Sequence, residues 1–384
     1  MSSGAIVFDT VPRIICEDGA SSRLGEIVRD MGLTHVLVVT DRGLLDVGVV
    51  GEAIASLERA GVHSTVYADV LGDPPESCIN DAVMLARESG VTGVIGLGGG
   101  SSMDVAKLVA LLATGGCALA SAYGVDKAVG PRLPLIQVPT TAGTGSEVTP
   151  IAIVTTPNGA KQGVVSRLLY ADVALLDATL TLGLPARVTA MTGIDAMVHA
   201  IEAYTSRHKK NIVSDTLAVR ALQLLSSNMR AVLANGGDVA ARRAMLQGSM
   251  LAGMAFANAP VAAVHALAYP LGGHFHVPHG LSNALVLLPV LEFNLPVADS
   301  LYAELLHAVD GASTSTPATG RAFVDAIAAL LADLGLERTL RDVGVTVADL
   351  PMLATGAMEV QRLLVNNPRD VTYDDALAIY TQVF

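Results

Sequence analysis

A chain of 384 residues is longer than one compact core usually requires, so its length predicts two domains. Hydrophobic residues make up 51% of the chain and charged residues only 16%, which supplies ample material for a large buried interior. The formal net charge of −12, without any basic run, argues against nucleic acid and anionic membrane surfaces as partners.

The first part of the chain alternates between short apolar, β-branched runs, which predict strands, and longer runs with helical spacing. The predicted strands are residues 34–41, 62–67, 91–100, 134–139 and 151–156. The predicted helices are residues 44–61, 75–90 and 101–116. Alternation of this kind predicts a parallel sheet with helices on both of its faces.

From about Leu184 onwards the pattern changes to helices with short breaks, and it predicts no strand. We therefore predict an α/β domain over residues 1–182, followed by an all-helical domain over residues 183–384. Residues 244–291 carry no Asp, Glu, Lys or Arg, but they contain histidines, prolines and amides that do not suit a lipid-spanning helix. We expect this stretch to form buried helices of a soluble protein.

The three cysteines, Cys16, Cys78 and Cys117, are scattered and form no Cys-x-x-Cys pair. They predict neither a disulfide framework nor a thiolate metal site, and they suit a reducing compartment. The N-terminus "MSSGAIVFDTVPRII" lacks the basic and apolar regions of a signal peptide. We therefore expect a cytoplasmic protein.

Two glycine-rich loops each follow a predicted strand. "GLGGGSSMD" (96–104) opens a helix, and "PTTAGTGSE" (139–147) adds threonines, a serine and further glycines. Glycines let a backbone approach a phosphate closely, and the free N–H groups at a helix start attract its charge. Because position 101 is Ser, the first loop lacks the GxGxxG dinucleotide fingerprint. Two such loops at one edge of the sheet predict a ligand with several phosphate and ribose oxygens; two polar loops without a ligand are the alternative.

Asp41 ends the first predicted strand, at the same edge of the sheet. A carboxylate there can accept hydrogen bonds from ribose hydroxyls and repel a 2′-phosphate. A turn aspartate that contacts only solvent is an equally good interpretation of the sequence.

The stretch "GIDAMVHAIEAY" (193–204) places Asp195 and His199 four residues apart in an apolar run, on one face of a predicted helix. Glu202 falls on the same side of that helix. Polar groups of this kind are costly in a core unless something binds them. The spacing therefore predicts that the pair binds a ligand.

Further histidines lie in the stretch without charged residues. One carboxylate and three imidazoles would suit Fe²⁺ or Zn²⁺ and leave room for a substrate oxygen. Spacing alone does not select the ligands among the four histidines of this stretch, which are His265, His274, His276 and His279. Surplus histidines fit a loop or the lining of a cleft.

Several motifs together resemble the iron-containing, or group III, alcohol dehydrogenases. They are "GGGSSMDVAK", "PTTAGTGSEVT", "GIDAMVHAIEAY", and "HALAYPLGG" with "VPHG". The resemblance covers essentially the whole chain. It implies a Rossmann-like N-terminal α/β domain, an all-α C-terminal domain, and sites for NAD(P) and a divalent metal that is usually Fe²⁺. By match to the family's motifs, the implied metal ligands are Asp195, His199, His265 and His279.

The same resemblance implies where the cofactor binds. The pyrophosphate would lie on Gly98, Gly99, Gly100 and Ser101, with Thr140, Thr141 and Thr144 nearby. Further cofactor-contacting positions are matched by Asp41, Asp73 and Lys161, although Asp73 replaces a frequent Asn. Asp41 matches the acidic residue that the family associates with a preference for NAD, so NADP is the less favoured cofactor.

One position departs from the family pattern. Four residues after His265, where the family often has a second His near the nicotinamide and the substrate, this chain has Tyr269. Some hydroxyacid-oxidising relatives resemble this variant, which favours ω-hydroxy acids such as 4-hydroxybutyrate beside simple primary alcohols. We predict that Tyr269 lines the substrate site without acting as an obligatory acid or base; a Tyr that only packs is the alternative.

The resemblance thus predicts a metal-dependent, NAD-linked oxidoreductase that interconverts a small primary alcohol, or an ω-hydroxy acid, and its aldehyde. We expect a homodimer or a larger homo-oligomer. Three alternatives remain: a maleylacetate reductase-like enzyme, an NAD- and metal-dependent lyase of the dehydroquinate synthase type, and a non-catalytic binding module. Intact metal-ligand and glycine motifs argue against the binding module.

Overall fold

The computed structural model describes residues 6–157, 159–309 and 318–384. The chain forms two units: one is Asp9–Gly183, and the other is Leu184–Phe384 together with the described residues before Asp9. The first unit holds every strand of the described chain, whereas the described part of the second unit is built from helices. The predicted fold class, an α/β domain followed by an all-α domain, is confirmed.

A parallel sheet forms the centre of the first unit. The strands of this unit are β1 (Ile14–Cys16), β2 (His35–Val39), β3 (His63–Tyr67), β4 (Gly93–Gly98), β5 (Gly124–Val125), β6 (Leu135–Pro139), β7 (Ile151–Thr155), β8 (Lys161–Val165) and β9 (Val173–Leu176). Six of them form the sheet in the order β1-β9-β6-β4-β2-β3. Its central strands are buried, as expected for continuous apolar runs in a parallel sheet. Gly98 pairs with Pro139 where β4 and β6 end, so the two glycine-rich loops leave the sheet side by side.

The helices of the first unit largely follow the predicted pattern. They are α1 (Leu24–Asp30), α2 (Arg42–Asp46), α3 (Gly51–Arg59), α4 (Glu76–Glu88), α5 (Gly100–Leu112) and α6 (Leu119–Ala122). The predicted helices 75–90 and 101–116 are confirmed as α4 and α5. The prediction of one helix over residues 44–61 is wrong, because α2 and α3 are separate. Gly48 between them has a φ of 79°, a left-handed conformation that ends a helix and favours glycine.

The predicted strand 151–156 exists as β7, but it lies outside the parallel sheet. It belongs to a second sheet with the order β5-β8-β7, in which β7 pairs antiparallel with β8. The loop between these two strands is too short for the crossover of a dozen or more residues that a parallel pair requires. Strands β1 and β9 are not predicted from the sequence. They have only three and four residues, respectively, and such short runs show too little periodicity.

The second unit is a set of packed helices around α7. Its helices are α7 (Ala186–Thr205), α8 (Ile212–Ala234), α9 (Val239–Asn258), α10 (Ala263–Phe275), α11 (His279–Leu305), α12 (Gly320–Asp333), α13 (Leu350–Glu359), α14 (Gln361–Leu364) and α15 (Tyr373–Gln382). Helix α7 packs against α8, α9 and α11, and most of its residues are buried. Asp195 and His199 therefore lie in the interior of this unit.

One stretch of this unit, His279–Ala308, is long and apolar enough by composition to cross a membrane. Of its most apolar window, 67% is buried inside the protein, which is typical of the core helix of a globular domain. Helices α9 and α10 would pass the same test together, but the chain bends by 106° between them. This burial agrees with the prediction that residues 244–291 form helices inside the protein.

Candidate active site

Three side chains from three helices of the second unit converge on one point. Oδ1 of Asp195 in α7 lies 3.5 Å from Nε2 of His279, the first residue of α11, and 3.8 Å from Nε2 of His265 in α10. These three residues each offer one donor atom, and the three atoms all lie within 4.8 Å of one another. Asp195 and His265 are buried, whereas the His279 side chain is 32% exposed.

His199 lies beside this group. It follows Asp195 by one turn of α7, and its Nε2 is 4.0 Å from Oδ1 of Asp195. Its ring stacks between those of Phe256 and His265, with centroid distances of 4.2 Å and 4.7 Å. The structure thus brings together all four side chains implied by the family motifs. By contrast, His274 and His276 are exposed at the end of α10.

Glu202, two turns after Asp195 on α7, holds His265 from the other side of its ring. Oε2 of Glu202 accepts a hydrogen bond from Nδ1 of His265 at 2.7 Å. With the proton on Nδ1, Nε2 of the ring keeps its lone pair toward Asp195. The same carboxylate accepts hydrogen bonds from the backbone N–H groups of Ala262 at 2.9 Å and Val264 at 2.7 Å, where α10 begins.

The surroundings of Asn283 show that this group of side chains suits a cation. Nδ2 of Asn283 lies 2.6 Å from Oδ1 of Asp195, 3.3 Å from Nε2 of His265 and 3.4 Å from Nε2 of His279. A carboxylate oxygen and two imidazole nitrogens therefore face one amide nitrogen, which has only two hydrogens to donate. A divalent ion lies about 2.0–2.2 Å from each donor atom, so two donor atoms on the same ion are at most about 4.4 Å apart. Oδ1 of Asp195 lies within that distance of Nε2 of each of the three histidines.

Burial and mutual contact set the ionisation of these side chains. Burial lowers the pKa of His265 well below its ordinary value, and the charges of His199 and His279 act in the same direction. Burial alone would raise the pKa of Asp195, but the three histidines and the hydrogen bond from Asn283 bring that pKa below its ordinary value. A neutral imidazole, as at His265, and an ionised carboxylate, as at Asp195, are the forms that bind a metal.

Gly280 allows α11 to begin directly against α7. A Cβ at this position would lie 2.1 Å from the backbone oxygen of Met191, one turn before Asp195. No side chain fits in that space, so the glycine permits the close approach of the two helices. His279, which immediately precedes it, is held next to Asp195 as a result.

Tyr269 borders the candidate metal centre. It lies one turn after His265 on α10 and is half-buried, and its ring centroid is 6.1 Å from that of His279. Nη2 of Arg362, in α14, donates to Oη of Tyr269 at 3.5 Å. Sequence reasoning does not point to Arg362, because 93 residues separate it from Tyr269 and no motif contains it.

In the first unit, the two glycine-rich loops lie against each other. The backbone N–H of Thr140 donates to the carbonyl oxygen of Gly98 at 2.9 Å. A Cβ on Gly100 would lie 2.7 Å from Cγ2 of Thr144, so this position has no room for a side chain. Gly99 is the N-cap of α5 and contributes no side-chain cap, which leaves the first N–H groups of that helix to an anion.

A buried lysine ties these loops together. Nζ of Lys107 in α5 donates to Oγ of Ser146 at 2.8 Å and to the carbonyl oxygen of Ile151 at 2.6 Å, and it lies 3.6 Å from Oδ1 of Asp104. Oγ of Ser146 in turn donates to Asp104 at 2.6 Å. Burial lowers the pKa of Lys107 and raises that of Asp104, while the attraction between the two opposes both shifts. The network holds the second loop on the helix that starts at the first.

A cavity of about 610 Å³ opens beside the first loop. Among the residues predicted to contact the cofactor, those that line it are Asp41, Gly99, Gly100 and Ser101. Asp41 is also the N-cap of α2, where its Oδ1 accepts the N–H of Leu44 at 3.0 Å. Two further lining residues, Arg42 and Asp69, form an ion pair at 2.7 Å. The lining therefore carries two carboxylates and one cation.

The remaining predicted pair, Asp73 and Lys161, form an ion pair with each other. Nζ of Lys161 lies 2.7 Å from Oδ1 of Asp73, and the backbone oxygen of Asp73 accepts a hydrogen bond from Thr155 at 3.0 Å. In the described chain these two residues stand apart from the set that lines the cavity. They connect the β7–β8 hairpin to the segment before α4.

Two family models together match almost the whole chain. The model for iron-containing alcohol dehydrogenase matches residues 12–178. The model for the C-terminal part of the Fe-containing alcohol dehydrogenase family matches residues 189–384. Both parts of the chain therefore point to the same family.

A relative and two solved structures agree with this match. Long-chain-alcohol dehydrogenase 1 of Geobacillus thermodenitrificans is 40% identical over 389 aligned residues, covering 100% of this chain and 98% of that protein. The crystal structure of a 1,3-propanediol oxidoreductase has a TM-score of 0.94 at 33% identity, covering 99% of this chain and 100% of that one. Sulfoacetaldehyde reductase from Bifidobacterium kashiwanohense, solved in complex with NAD⁺, has a TM-score of 0.90 at 28% identity and covers 99% of each chain. The chain therefore belongs to the iron-containing alcohol dehydrogenase family and is a metal-dependent oxidoreductase that interconverts alcohols and aldehydes.

Proposed function

We propose that this enzyme is NAD-linked and acts on a small primary alcohol, or an ω-hydroxy acid, and its aldehyde. The reaction is R–CH₂OH + NAD⁺ ⇌ R–CHO + NADH + H⁺, in which the alcohol carbon loses a hydride and the oxygen loses a proton. The observation that carries the proposal is the convergence of Asp195, His265 and His279, with His199 beside them. We assign residues 183–384 to the metal and the substrate, and residues 1–182 to the dinucleotide.

We assign Asp195, His199, His265 and His279 as the ligands of one divalent cation. The family favours Fe²⁺, and one carboxylate with three imidazoles also suits Zn²⁺. When bound, the cation supplies Lewis-acid stabilisation of the negative charge that develops on the alcohol oxygen. The protein holds the donors in place: Glu202 orients the ring of His265, and Asn283 donates a hydrogen bond to Asp195.

We place the dinucleotide on the loops of the first unit. The start of α5 suits the pyrophosphate, with Gly98, Gly99, Gly100 and Ser101 in the first loop and Thr140, Thr141 and Thr144 in the second. Asp41 lies on the wall of the adjoining cavity, where a carboxylate suits ribose hydroxyls and disfavours the 2′-phosphate of NADP. The pair Asp73 and Lys161 supplies further polar contacts. The NAD⁺ complex of the B. kashiwanohense sulfoacetaldehyde reductase supports this choice of cofactor.

The substrate site lies, in this proposal, beside Tyr269. Its half-buried phenol on the helix that carries His265 supports a position at the substrate end of the metal centre. The relatives are named for a long-chain alcohol, 1,3-propanediol and sulfoacetaldehyde, so family membership alone does not select one substrate. We further propose that the enzyme acts in the cytoplasm as a homodimer or larger homo-oligomer.

The test measures turnover by protein from which a chelator has removed the metal and to which Fe²⁺ or Zn²⁺ has then been added back. A panel of alcohols with NAD⁺, and of aldehydes with NADH, is followed at the absorbance of NADH. Net formation of NADH from an alcohol supports the proposal. Formation and reoxidation of NADH within one turnover points to a lyase of the dehydroquinate synthase type. No turnover of any alcohol or aldehyde with either metal contradicts the proposal.

A further inference from the structure

Arg362 lies at the rim of the candidate metal centre. Its Nη2 is 3.5 Å from Oη of Tyr269, and the ring of Tyr269 is 6.1 Å from that of His279 by centroid. The positive charge of Arg362 therefore lies at the side of the candidate metal centre that Tyr269 borders.

The backbone that carries Arg362 is fixed to the helix that carries His265. The buried side chain of Asn366 donates to the carbonyl oxygens of Arg362 and Val261, each at 3.1 Å, and Val261 lies two residues before α10. Helix α13 also packs closely on α10, since a Cβ on Gly356 would lie 3.2 Å from Cγ of Pro270. Contacts in the core, rather than a loose loop, thus set where the backbone of Arg362 lies relative to α10.

Arg362 differs in its charge environment from three other arginines of this unit. Arg187, Arg207 and Arg321 each pair with an Asp or Glu at 3.2 Å or less. Among the residues that the structure describes, no carboxylate forms an ion pair with Arg362. A guanidinium presents several N–H donors in one plane, which match the oxygens of a carboxylate or another oxyanion.

We propose that Arg362, assisted by the hydroxyl of Tyr269, binds the anionic end of the substrate. The substrate class is then a short hydroxy acid, or its aldehyde, with a terminal carboxylate or sulfonate. This inference rests on the proposed function, because it takes the reacting carbon to lie beside Asp195, His265 and His279. A hydrogen bond to a charged group typically changes a binding constant by roughly tenfold to hundredfold, so we expect an effect of this size on the binding of the anionic substrate.

The test compares 4-hydroxybutyrate with 1,4-butanediol, which has the same carbon chain and a neutral end. We expect Arg362→Gln to lose roughly 10- to 100-fold more kcat/KM on 4-hydroxybutyrate than on the diol, mainly through KM. Arg362→Lys keeps the charge without the planar donors, so its selective loss on 4-hydroxybutyrate should lie between that of wild type, which has none, and that of Arg362→Gln. Arg321→Gln, which removes an exposed arginine that pairs with Glu292, is the matched control and should change both substrates alike.

A second arm compares 2-hydroxyethanesulfonate with ethanol and shows whether the anion is a sulfonate or a carboxylate. The larger selective loss in Arg362→Gln identifies the anion that the site binds. Equal losses on the charged and the neutral substrate in both arms would overturn the inference, and so would a wild type that oxidises the neutral alcohols alone. A metal-loaded wild type that oxidises none of the four alcohols contradicts the proposed function itself.

Discussion

Glu202 accepts a hydrogen bond from Nδ1 of His265 at 2.7 Å, and the same carboxylate accepts the backbone N–H groups of Ala262 and Val264. One side chain of α7 therefore fixes both the start of α10 and the orientation of the His265 ring. Histidines that bind metals are commonly held in this way through the ring nitrogen that faces away from the ion. The relationship leads to a prediction about metal affinity.

We expect Glu202→Gln to lower the affinity for Fe²⁺ or Zn²⁺ by about 10- to 100-fold. An amide has one acceptor oxygen where the carboxylate has two, so it cannot satisfy His265 and both backbone N–H groups. Competition between the metal-free protein and a chelator of known affinity measures the effect without relying on activity. Glu304→Gln is the matched control. Glu304 in α11 accepts a hydrogen bond from the hydroxyl of Tyr204, which lies in α7 as Glu202 does. An affinity of Glu202→Gln equal to that of wild type would show that the hydrogen bond does not orient the ligand.

The two roles of Asp41 can be separated by one substitution. Its carboxylate caps α2 and lies on the wall of the cavity that we assign to the dinucleotide. Since Asn caps a helix as well as Asp does but carries no charge, Asp41→Asn should raise kcat/KM with NADP relative to NAD by roughly two- to tenfold without loss of stability. Asp41→Gly should relax the preference likewise, at a cost of a few tenths of a kcal/mol in stability. An unchanged ratio in Asp41→Asn, or a wild type that prefers NADP, would contradict this placement of Asp41.

We expect Glu147 to make the stability of the protein depend on pH. Its side chain is buried near Lys107, and its Oε1 has no hydrogen-bond partner among the described residues. Burial, the largest cause, raises the pKa of Glu147 from 4.5 to about 7. The folded state holds this proton more tightly than the unfolded chain does. Protonation of Glu147 therefore adds to the free energy of unfolding. This contribution is fully present below the unfolded pKa of 4.5 and is lost as the pH rises through about 7.

We expect Glu147→Gln, which resembles the protonated acid, to match wild type near pH 4.5. Near pH 8 the variant should be more stable by about 3 kcal/mol. Thermal unfolding of the full chain over this pH range measures the difference in Tm. The exposed Glu58 offers a control, because Glu58→Gln should keep the pH dependence of wild type. Curves for Glu147→Gln and wild type that stay parallel at every pH would rule out this origin of the pH dependence.

Tyr269 contacts Arg362 and borders His279. In our proposal its phenol touches the substrate and does not bind the metal. Loss of one hydrogen bond to a substrate costs about 0.5–1.5 kcal/mol, so Tyr269→Phe should lower kcat/KM by up to roughly tenfold. The ratio of kcat/KM between wild type and variant, on 4-hydroxybutyrate and on 1,4-butanediol, is the measurement. A loss on the order of a thousandfold would show that the phenol is needed for proton transfer, and no loss on either substrate would favour a packing role.

The parallel sheet can be predicted from the sequence because its inner strands are continuous apolar, β-branched runs. Residues 34–41 and 91–100 contain β2 and β4 for this reason. The hairpin of β7 and β8 could not be predicted in the same way, since the direction of pairing depends on the loop and not on strand composition. Gly48 is a turn signal that the helical spacing of residues 44–61 conceals.

The candidate metal centre was only partly predictable. Asp195 and His199 share a helix face by spacing, but His265 and His279 needed the family motifs, because two other histidines lie in the same apolar stretch. The hydrogen bond between Glu202 and His265 depends on where α10 begins relative to α7, which is a tertiary contact. Arg362 could not be found from the sequence, because only the packing of α13 and α14 on α10 brings it to Tyr269.

The central claim is that Asp195, His199, His265 and His279 hold one divalent metal that turnover requires. Elemental analysis of wild type and of His279→Ala, with turnover measured on the same samples, tests it most directly. We predict one Fe²⁺ or Zn²⁺ per chain in active wild type, and loss of both the metal and the turnover in His279→Ala, because the variant opens the ligand shell and leaves the buried carboxylate of Asp195 less compensated. A fully active wild type that contains no metal, or a His279→Ala variant that keeps both the metal and the turnover, would contradict the claim.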